Sequence, residues 1–437
     1  VQVAVADITI NNTVSSDFIA ERASSNSRPY KYVTIAIGDE DAIDITDYVT
    51  NISSIDRGSP NQPGQVSQIR SGDSTVMVSN NTGYFSPEEP TSLFYGKDYY
   101  DAEISIYAGF YIDDDNIEVT PQAVVLLEKV ELKDDSGMAQ LYGRGKSKKA
   151  LEKRVGEPDD DGVADPLTFM GDWKFNDIVE YLLKEVAGLT AAEYSIQDLS
   201  IFYRDIVFSD MTISSAIAYL AESSNTRIWE DRFGVINLEE FIPVFAGEGD
   251  ELNLESYTKD VTYITDFTML VNKVRVHYSG DSFYPIDNTD TQEAGRYIII
   301  NNPYVQKYAQ AKDIGDKIIT KFGTRDDIPN IHVDAHWLPD IDIGQVVIVI
   351  SSIAGLSSEY CRINRVVMDM SQHETQLELE KTTDIGGYTW AFLGSSVDEG
   401  DDLSPQSDTF AAASTANKEF AYCAAPAASV APMYYAY

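Results

Sequence analysis

The chain has 437 residues, 43% hydrophobic and 24% charged, and its 71 acidic against 32 basic side chains leave a formal charge of −39. The composition is that of a globular protein and the length predicts two to four domains, while the charge excludes a protein that grips duplex DNA by counterion release, since DNA carries about one negative charge per 1.7 Å of axis. A disulfide scaffold is also excluded, because the two cysteines, Cys361 and Cys423, lie in no ligand spacing and read as free buried thiols.

Residues 1–29 form a polar arm rich in Ser and Asn, with one edge strand suggested by Val1, Val3, Val5, Ile8 and Ile10. Val1–Ile10 has neither the basic nor the apolar block of a secretory leader, and no run approaches the roughly 20 apolar residues of a membrane helix. Residues 30–150 read almost wholly as β. Candidate strands are Val33–Ile37, Ile43–Val49, Ser74–Asn80, Glu103–Ile112, Ala123–Lys133 and Met138–Tyr142. The last two are joined by Asp134-Asp135-Ser136-Gly137, with Gly where a positive φ is wanted. Short strands at this spacing predict a barrel or a sandwich.

Residues 165–247 change character. Phe175, Ile178, Val179, Leu182, Leu183 and Val186 fall on one face of a helix closed by Gly188. A second helix is predicted over Thr212–Ser223, with Asp210 or Thr212 as its cap, followed by a hairpin of Arg227–Glu230 and Val235–Glu239. Together these make a small α+β insert.

From residue 252 to 384 the β pattern returns, in Phe267–Tyr278, Ile331–His336, Gln345–Ile350, Tyr360–Met370 and Thr375–Glu380, interrupted by one amphipathic helix over Tyr304–Phe322. Both β regions end in two strands joined by a short polar turn, an echo that hints at related barrels at an identity too low to read as a repeat. Residues 385–437 are rich in Ser, Ala and Gly, and the last 18 residues carry no charge. Such a segment cannot order itself alone, so this extension and the N-terminal arm are expected to lie against neighbouring subunits.

No G-x-S-x-G elbow, Walker A loop or G-x-G-x-x-G run occurs in the sequence. His332 and His336 are four apart but lack the Glu of a zinc helix, and on a strand they share a face as a structural pair. Asp159-Asp160-Asp161-Gly162 with Asp165 lacks the ligand alternation of an EF-hand and reads as a solvated acidic loop. The basic segment Arg144, Lys146, Lys148, Lys149, Lys153 and Arg154 is expected to pair locally with that loop.

Several stretches, in order, resemble the tail hub protein (baseplate or tail-tip hub) of long-tailed phages. They are Ile45–Val49 with Ile55-Asp56-Arg57-Gly58, then Val76-Met77-Val78-Ser79-Asn80-Asn81-Thr82-Gly83-Tyr84-Phe85-Ser86-Pro87, then Glu103–Phe110 and Val124–Glu131. In the middle are Trp173–Leu189, Phe208–Thr212 and Trp229–Asn237. Leu338-Pro339-Asp340-Ile341-Asp342-Ile343-Gly344-Gln345-Val346-Val347 and Arg362–Val366 with Thr375–Glu380 follow. Gln345 stands where the family more often has an acidic residue.

The resemblance implies a mainly β fold of two tube-type β-barrel domains (30–150 and 252–384) flanking the α+β domain (165–247), with extended N- and C-terminal arms (1–29 and 385–437). It implies no catalytic residue, cofactor or metal. It implies a homotrimer whose six barrels form a pseudo-hexameric ring, made in the host cytoplasm and placed at the tail tip or baseplate of the virion. Its partners would be the tail tube and distal tail proteins above and a tip fibre or spike below, with the tape-measure protein a further one. An acidic bore would let DNA pass without adsorbing. The acidity also suits a halophilic source, which 18 Lys against 14 Arg do little to support. The rival readings are a distal tail protein, a receptor-binding β protein using some of the 27 Tyr, and a tail-associated cell-wall hydrolase.

Overall fold

Strict alternation builds the first sheet. In Ser74–Ser79 every second residue is buried, Val76 and Val78 completely, the mark of a strand with one face on a core. The computed structural model describes residues 7–58, 72–147, 152–156, 165–224, 226–240, 252–265, 270–278, 282–287, 296–323, 329–381, 388–390 and 412–414. The chain divides into two units, Val1–Ile242 with Leu252–Lys381, and Pro243–Glu251 with Thr382–Tyr437. In the second, Tyr388–Trp390 pairs antiparallel with Ala412–Ser414.

The first unit begins with β1 (Asp7–Ile10), α1 (Ser16–Arg22), β2 (Pro29–Ala36), β3 (Ile43–Asp44), β4 (Val49–Ile52), β5 (Ile55–Gly58), β6 (Ser74–Ser79), β7 (Glu103–Tyr111), β8 (Asn116–Lys133) and β9 (Met138–Gly145). The sheet order is β3-β2-β7-β8-β9-β6-β4, with β1 parallel to β8. β3 and β4 are the two ends of one segment bent at a 3₁₀ turn over Thr46–Tyr48. The ladder therefore starts and finishes on the same stretch of chain and closes on itself. The N-x-x-G-x-F-S-P run is a self-bonded turn beside it. The Asn80 side chain donates to Ser86 Oγ and accepts from the Phe85 N–H, and Phe85 is fully buried.

Residues 7–28 of the N-terminal arm pack on the first sheet of their own chain, and they hold a short helix besides the edge strand. Buried Glu118 of β8 accepts from Asn11, the Ser15 N–H and the Ser15 hydroxyl. Ser15 in turn caps α1, and Phe18 meets Phe110 edge-on at 5.1 Å. A carboxylate with three donors and a buried ring give this short helix the tertiary support that seven residues lack alone.

The insert holds β10 (Arg154–Val155), β11 (Leu167–Lys174), α2 (Phe175–Tyr181), β12 (Tyr194–Ile196), β13 (Phe202–Phe208), β14 (Met211–Thr212), α3 (Ile213–Ser224), β15 (Thr226–Glu230) and β16 (Ile236–Glu240). The expected first helix is present, but its last turn, Leu182–Val186, widens to a π-helix before Gly188, whose φ is +77°. Thr212 rather than Asp210 caps α3, its hydroxyl accepting from the Ser215 N–H at 3.1 Å. Ile178, Leu182, Ile213, Ile217 and Leu220 share one buried cluster.

Next come β17 (Leu252–Asn253), β18 (Thr258–Thr265), β19 (Val271–Tyr278), β20 (Ser282–Asp287), β21 (Arg296–Ile300), α4 (Tyr308–Phe322), β22 (Pro329–His336), β23 (Val346–Ser351), β24 (Leu356–Asp369) and β25 (Glu374–Lys381). The second sheet runs β17-β23-β24-β25-β22-β18, with β5 antiparallel to β24. β5, expected in the first barrel, thus completes the second sheet. Strands β19 to β21 and α4 stand apart from it as a three-stranded sheet with its own core of Val274, Val276, Ile314 and Ile318. The predicted helix starts four residues late because Tyr304 is buried in the insert's cluster, where its hydroxyl donates to the Val207 carbonyl at 3.0 Å. The Gln310 side chain then accepts from the N–H groups of Gln306 and Lys307 at the helix start.

The two closed sheets repeat one plan. The two ends of each ladder lie on a segment bent at a 3₁₀ turn, and β6, β7, β8 and β9 correspond to β22, β23, β24 and β25 in order and pairing; the first sheet has β2 in addition, between β3 and β7, where β17 pairs directly with β23. At the bend the Tyr48 N–H donates to the Ile45 carbonyl and the Tyr257 N–H to the Leu254 carbonyl, both at 2.9 Å. Asp44 Oδ1 accepts from the Thr46 N–H and Asn253 Oδ1 from the Glu255 N–H. Bulges recur between Val49/Asn51 and Thr258/Asp260, and between Leu127/Lys129 and Ile363/Arg365. The four-residue turns of the closing hairpins both end in a left-handed residue, Gly137 and His373. Bulges are built features of a fold rather than accidents, so their coincidence identifies an internal repeat. Among the equivalent strand positions, identities such as Tyr48/Tyr257, Val76/Val333 and Leu141/Leu377 are sparse, which is why the sequence only hints at it.

Candidate functional site

Loop 337–345, between β22 and β23, is where separate parts of the first unit converge. Arg22 of α1 pairs with Asp340, both nearly buried. Arg57 of β5 lies 3.1 Å from Asp342 and its guanidinium also donates to the Ile341 carbonyl. Arg232, in the β15–β16 turn, reaches Asp342 at 3.7 Å and donates to the Asn12 carbonyl. Gln122 of β8, wholly buried, donates to the Pro339 carbonyl at 2.6 Å. Trp337 Nε1 donates to the Gly109 carbonyl of β7 at 3.4 Å. The arm, both closed sheets and the insert are thus fastened to one loop.

This joint is polar and nearly dry. The side chains of Arg57 and Arg232 are 3% and 9% exposed. Burial lowers the pKa of Arg232 and raises that of Asp340, the latter opposed by Arg22. Charges removed from water are held by partners at fixed geometry, and the loss of one partner is the costly event. Arg57, Ala123, Val124, Glu230 and Asp231 line a cavity of about 10 Å³, room for a single water rather than a substrate.

Glu230 fixes the insert to the first sheet. Its carboxylate accepts from the N–H groups of Lys146 and Ser147 and from the Ser147 hydroxyl. Gly145 leaves room for it, since a Cβ there would sit 2.6 Å from both carboxylate oxygens. Burial outweighs the three donors and pushes the Glu230 pKa from 4.5 up to about 7. The folded state therefore holds this proton more tightly than the unfolded state. Its contribution is complete below about pH 4.5 and is lost as pH rises through about 7, ~3 kcal/mol at most. Urea midpoints of Glu230→Gln should accordingly vary less between pH 4.5 and 7 than those of the parent; parallel pH profiles would refute the assignment.

The residues singled out from sequence fall elsewhere. His332 and His336 share one face of β22, opposite Glu378 and Glu374 of β25, as a strand requires. Among the described residues no group of three or more His, Cys, Asp or Glu is placed to hold a metal. Cys361 is buried, and its thiol is pushed up to about 12 by burial and Glu359; Cys423 lies outside the described residues. In the basic segment, Arg144 reaches Glu152 at 3.3 Å and Glu128 at 3.4 Å, Lys146 reaches Glu103 at 2.9 Å, and Arg154 pairs with Asp210 at 2.7 Å. These carboxylates belong to strands and turns distributed over the unit. Lys148, Lys149 and the Asp159–Asp161 loop are outside the described residues. No helix among the described residues is long and apolar enough to cross a membrane.

Sequence reasoning missed the joint. Asp340 and Asp342 lie within one hub-like stretch of the sequence and Arg57 within another, but nothing local says that positions 57 and 342 meet.

No family model and no curated protein matches the chain. Solved structures do match its fold. The 43 kDa tail protein of prophage MuSo2 from Shewanella oneidensis has a TM-score of 0.53 at 13% identity, over 80% of this chain and 98% of that one. The tail protein from Neisseria meningitidis MC58 gives 0.53 at 12%, over 80% and 96%. Prophage tail protein gp18 from Listeria monocytogenes EGD-e gives 0.50 at 10%, over 80% and 95%. The chain has the mainly β fold of phage tail proteins.

Proposed function

We propose that the chain is the hub of a phage tail tip or baseplate, a structural protein without catalysis of its own. The doubled closed sheet carries this reading. One polypeptide offers two equivalent rims, and three copies offer six around an axis. Such a ring can continue a six-fold tail tube on one side and present three-fold symmetry to a fibre or spike on the other. The buried joint holds the two sheets of each chain at one angle, as a repeating ring requires. Domains 30–150, 165–247 and 252–384 follow from the same reading, the last interrupted by the β19–β21 module. With a net charge of −39, a bore lined by the chain would repel DNA and let it slide.

The test is particle symmetry. Mass photometry of the purified chain should give trimers, and electron-microscopy class averages should show six densities around a hole. A monomer, or a two-fold particle, would refute the hub. A bore coated with Lys and Arg would refute the DNA conduit, and clearing of host envelope in a zymogram would favour the hydrolase.

A further inference from the structure

The contact made between the two closed sheets inside one chain foretells the contact between chains. β5 lies along β24 and sets Ile55 beside Met368, both fully buried. Counting six residues on from the shared bulge at Val49 and Thr258, the repeat places Ile264 where Ile55 stands. Counting back from the shared closing turn, it places Leu132 where Met368 stands. Unlike their counterparts, both are open to solvent. Leu132 is 46% exposed, Ile264 39%, and Tyr263 beside it 41%. The strand edges differ in the same way. At Arg365–Met368, β24 has β25 on one side and β5 on the other. At Lys129–Leu132, β8 has β9 on one side and, among the described residues, no strand on the other.

We infer that this open pair is the contact between copies. The β8 edge at Leu132 of one chain is covered by Ile264, near the end of β18, of the next, repeating between chains what Met368 and Ile55 do within one. The occupant is a second copy because both halves of the surface are carried by this chain, in different sheets, and match a pair already buried once. Each chain gives its Leu132 edge to one neighbour and its Ile264 to the other. The contact is therefore heterologous, and its repetition closes a ring. An exposed strand edge with an apolar residue is a pairing hazard unless such a partner covers it. The inference deepens the hub reading and rests on it.

Disulfide trapping tests it. In the full chain with Cys423→Ser, the pair Leu132→Cys and Ile264→Cys should on mild oxidation give bands of two and three linked chains on a non-reducing gel, and neither single variant should. Leu132→Glu should shift the particles from trimer to monomer while leaving the thermal melt of the monomer unchanged, because Leu132 is exposed in the single chain. A trimer that neither cross-links through this pair nor responds to Leu132→Glu would overturn the contact and leave the hub standing. A parent chain that stays monomeric would overturn both.

Discussion

Replacing Asp342 by alanine is expected to cost about 3–5 kcal/mol of unfolding free energy, the range for removing one member of a buried ion pair. Arg57 and Arg232 both lie against this carboxylate, at 3.1 and 3.7 Å, and their side chains have almost no access to water. Without it, two guanidinium groups stay buried with one acidic partner fewer. The reading is the urea midpoint, converted with the denaturant slope of the parent. Arg57→Met in the Asp342→Ala background should return part of the loss, since it removes one of the stranded charges. A surface pair supplies the contrast. Arg154 and Asp210 are 42% and 56% exposed, and Arg154→Ala should cost less than about 1 kcal/mol. If Asp342→Ala cost no more than that, the joint would be decoration rather than a fastening.

Gly109→Ala is expected to be more damaging still. A Cβ on Gly109 would lie 1.9 Å from the Glu118 carbonyl oxygen and 2.7 Å from the Val119 Cα, both backbone atoms of the paired strand. No side chain can swing aside, so the β7–β8 register itself must open. That displaces Glu118, which anchors the arm, and the Gly109 carbonyl that receives Trp337. The loss should exceed about 4 kcal/mol, a size reached only when a core or the backbone is forced apart, and it should be read from soluble yield and the melting temperature. Gly72→Ala, with nothing within 4 Å of the new methyl, serves as the control at within about 0.5 kcal/mol. A Gly109→Ala protein melting within about 2 °C of the parent would mean that the close approach does not hold in solution.

The two experiments probe different parts of one design. Gly109 tests whether the first sheet closes with this register, and Asp342 tests whether the two sheets are clamped at a fixed angle. Trapping between positions 132 and 264 asks whether the same clamp geometry recurs between chains. A ring built from an internal repeat needs all three, because six rims meet only if the angle inside a chain equals the angle between chains.

Much of this was legible in the amino-acid order because it is local. Alternation announced Ser74–Ser79 and Glu374–Lys381, the i, i+3, i+4 spacing announced Phe175–Tyr181 and Ile213–Ser224, and a Gly or a polar run marked the turns at Gly137 and His373. These signals arise from the period of a strand or a helix and need no distant partner. Partnership over long separations was not legible. That Ile55–Gly58 abandons the first sheet for β24, that Tyr304 leaves its helix for the insert's core, and that Arg57 finds Asp342 are outcomes of chain closure and desolvation, decided only when the sheets pack. The repeat lay between the two. Its bulges and bends are made by backbone hydrogen bonds that many side chains satisfy equally well, so two stretches can share the architecture with few identities.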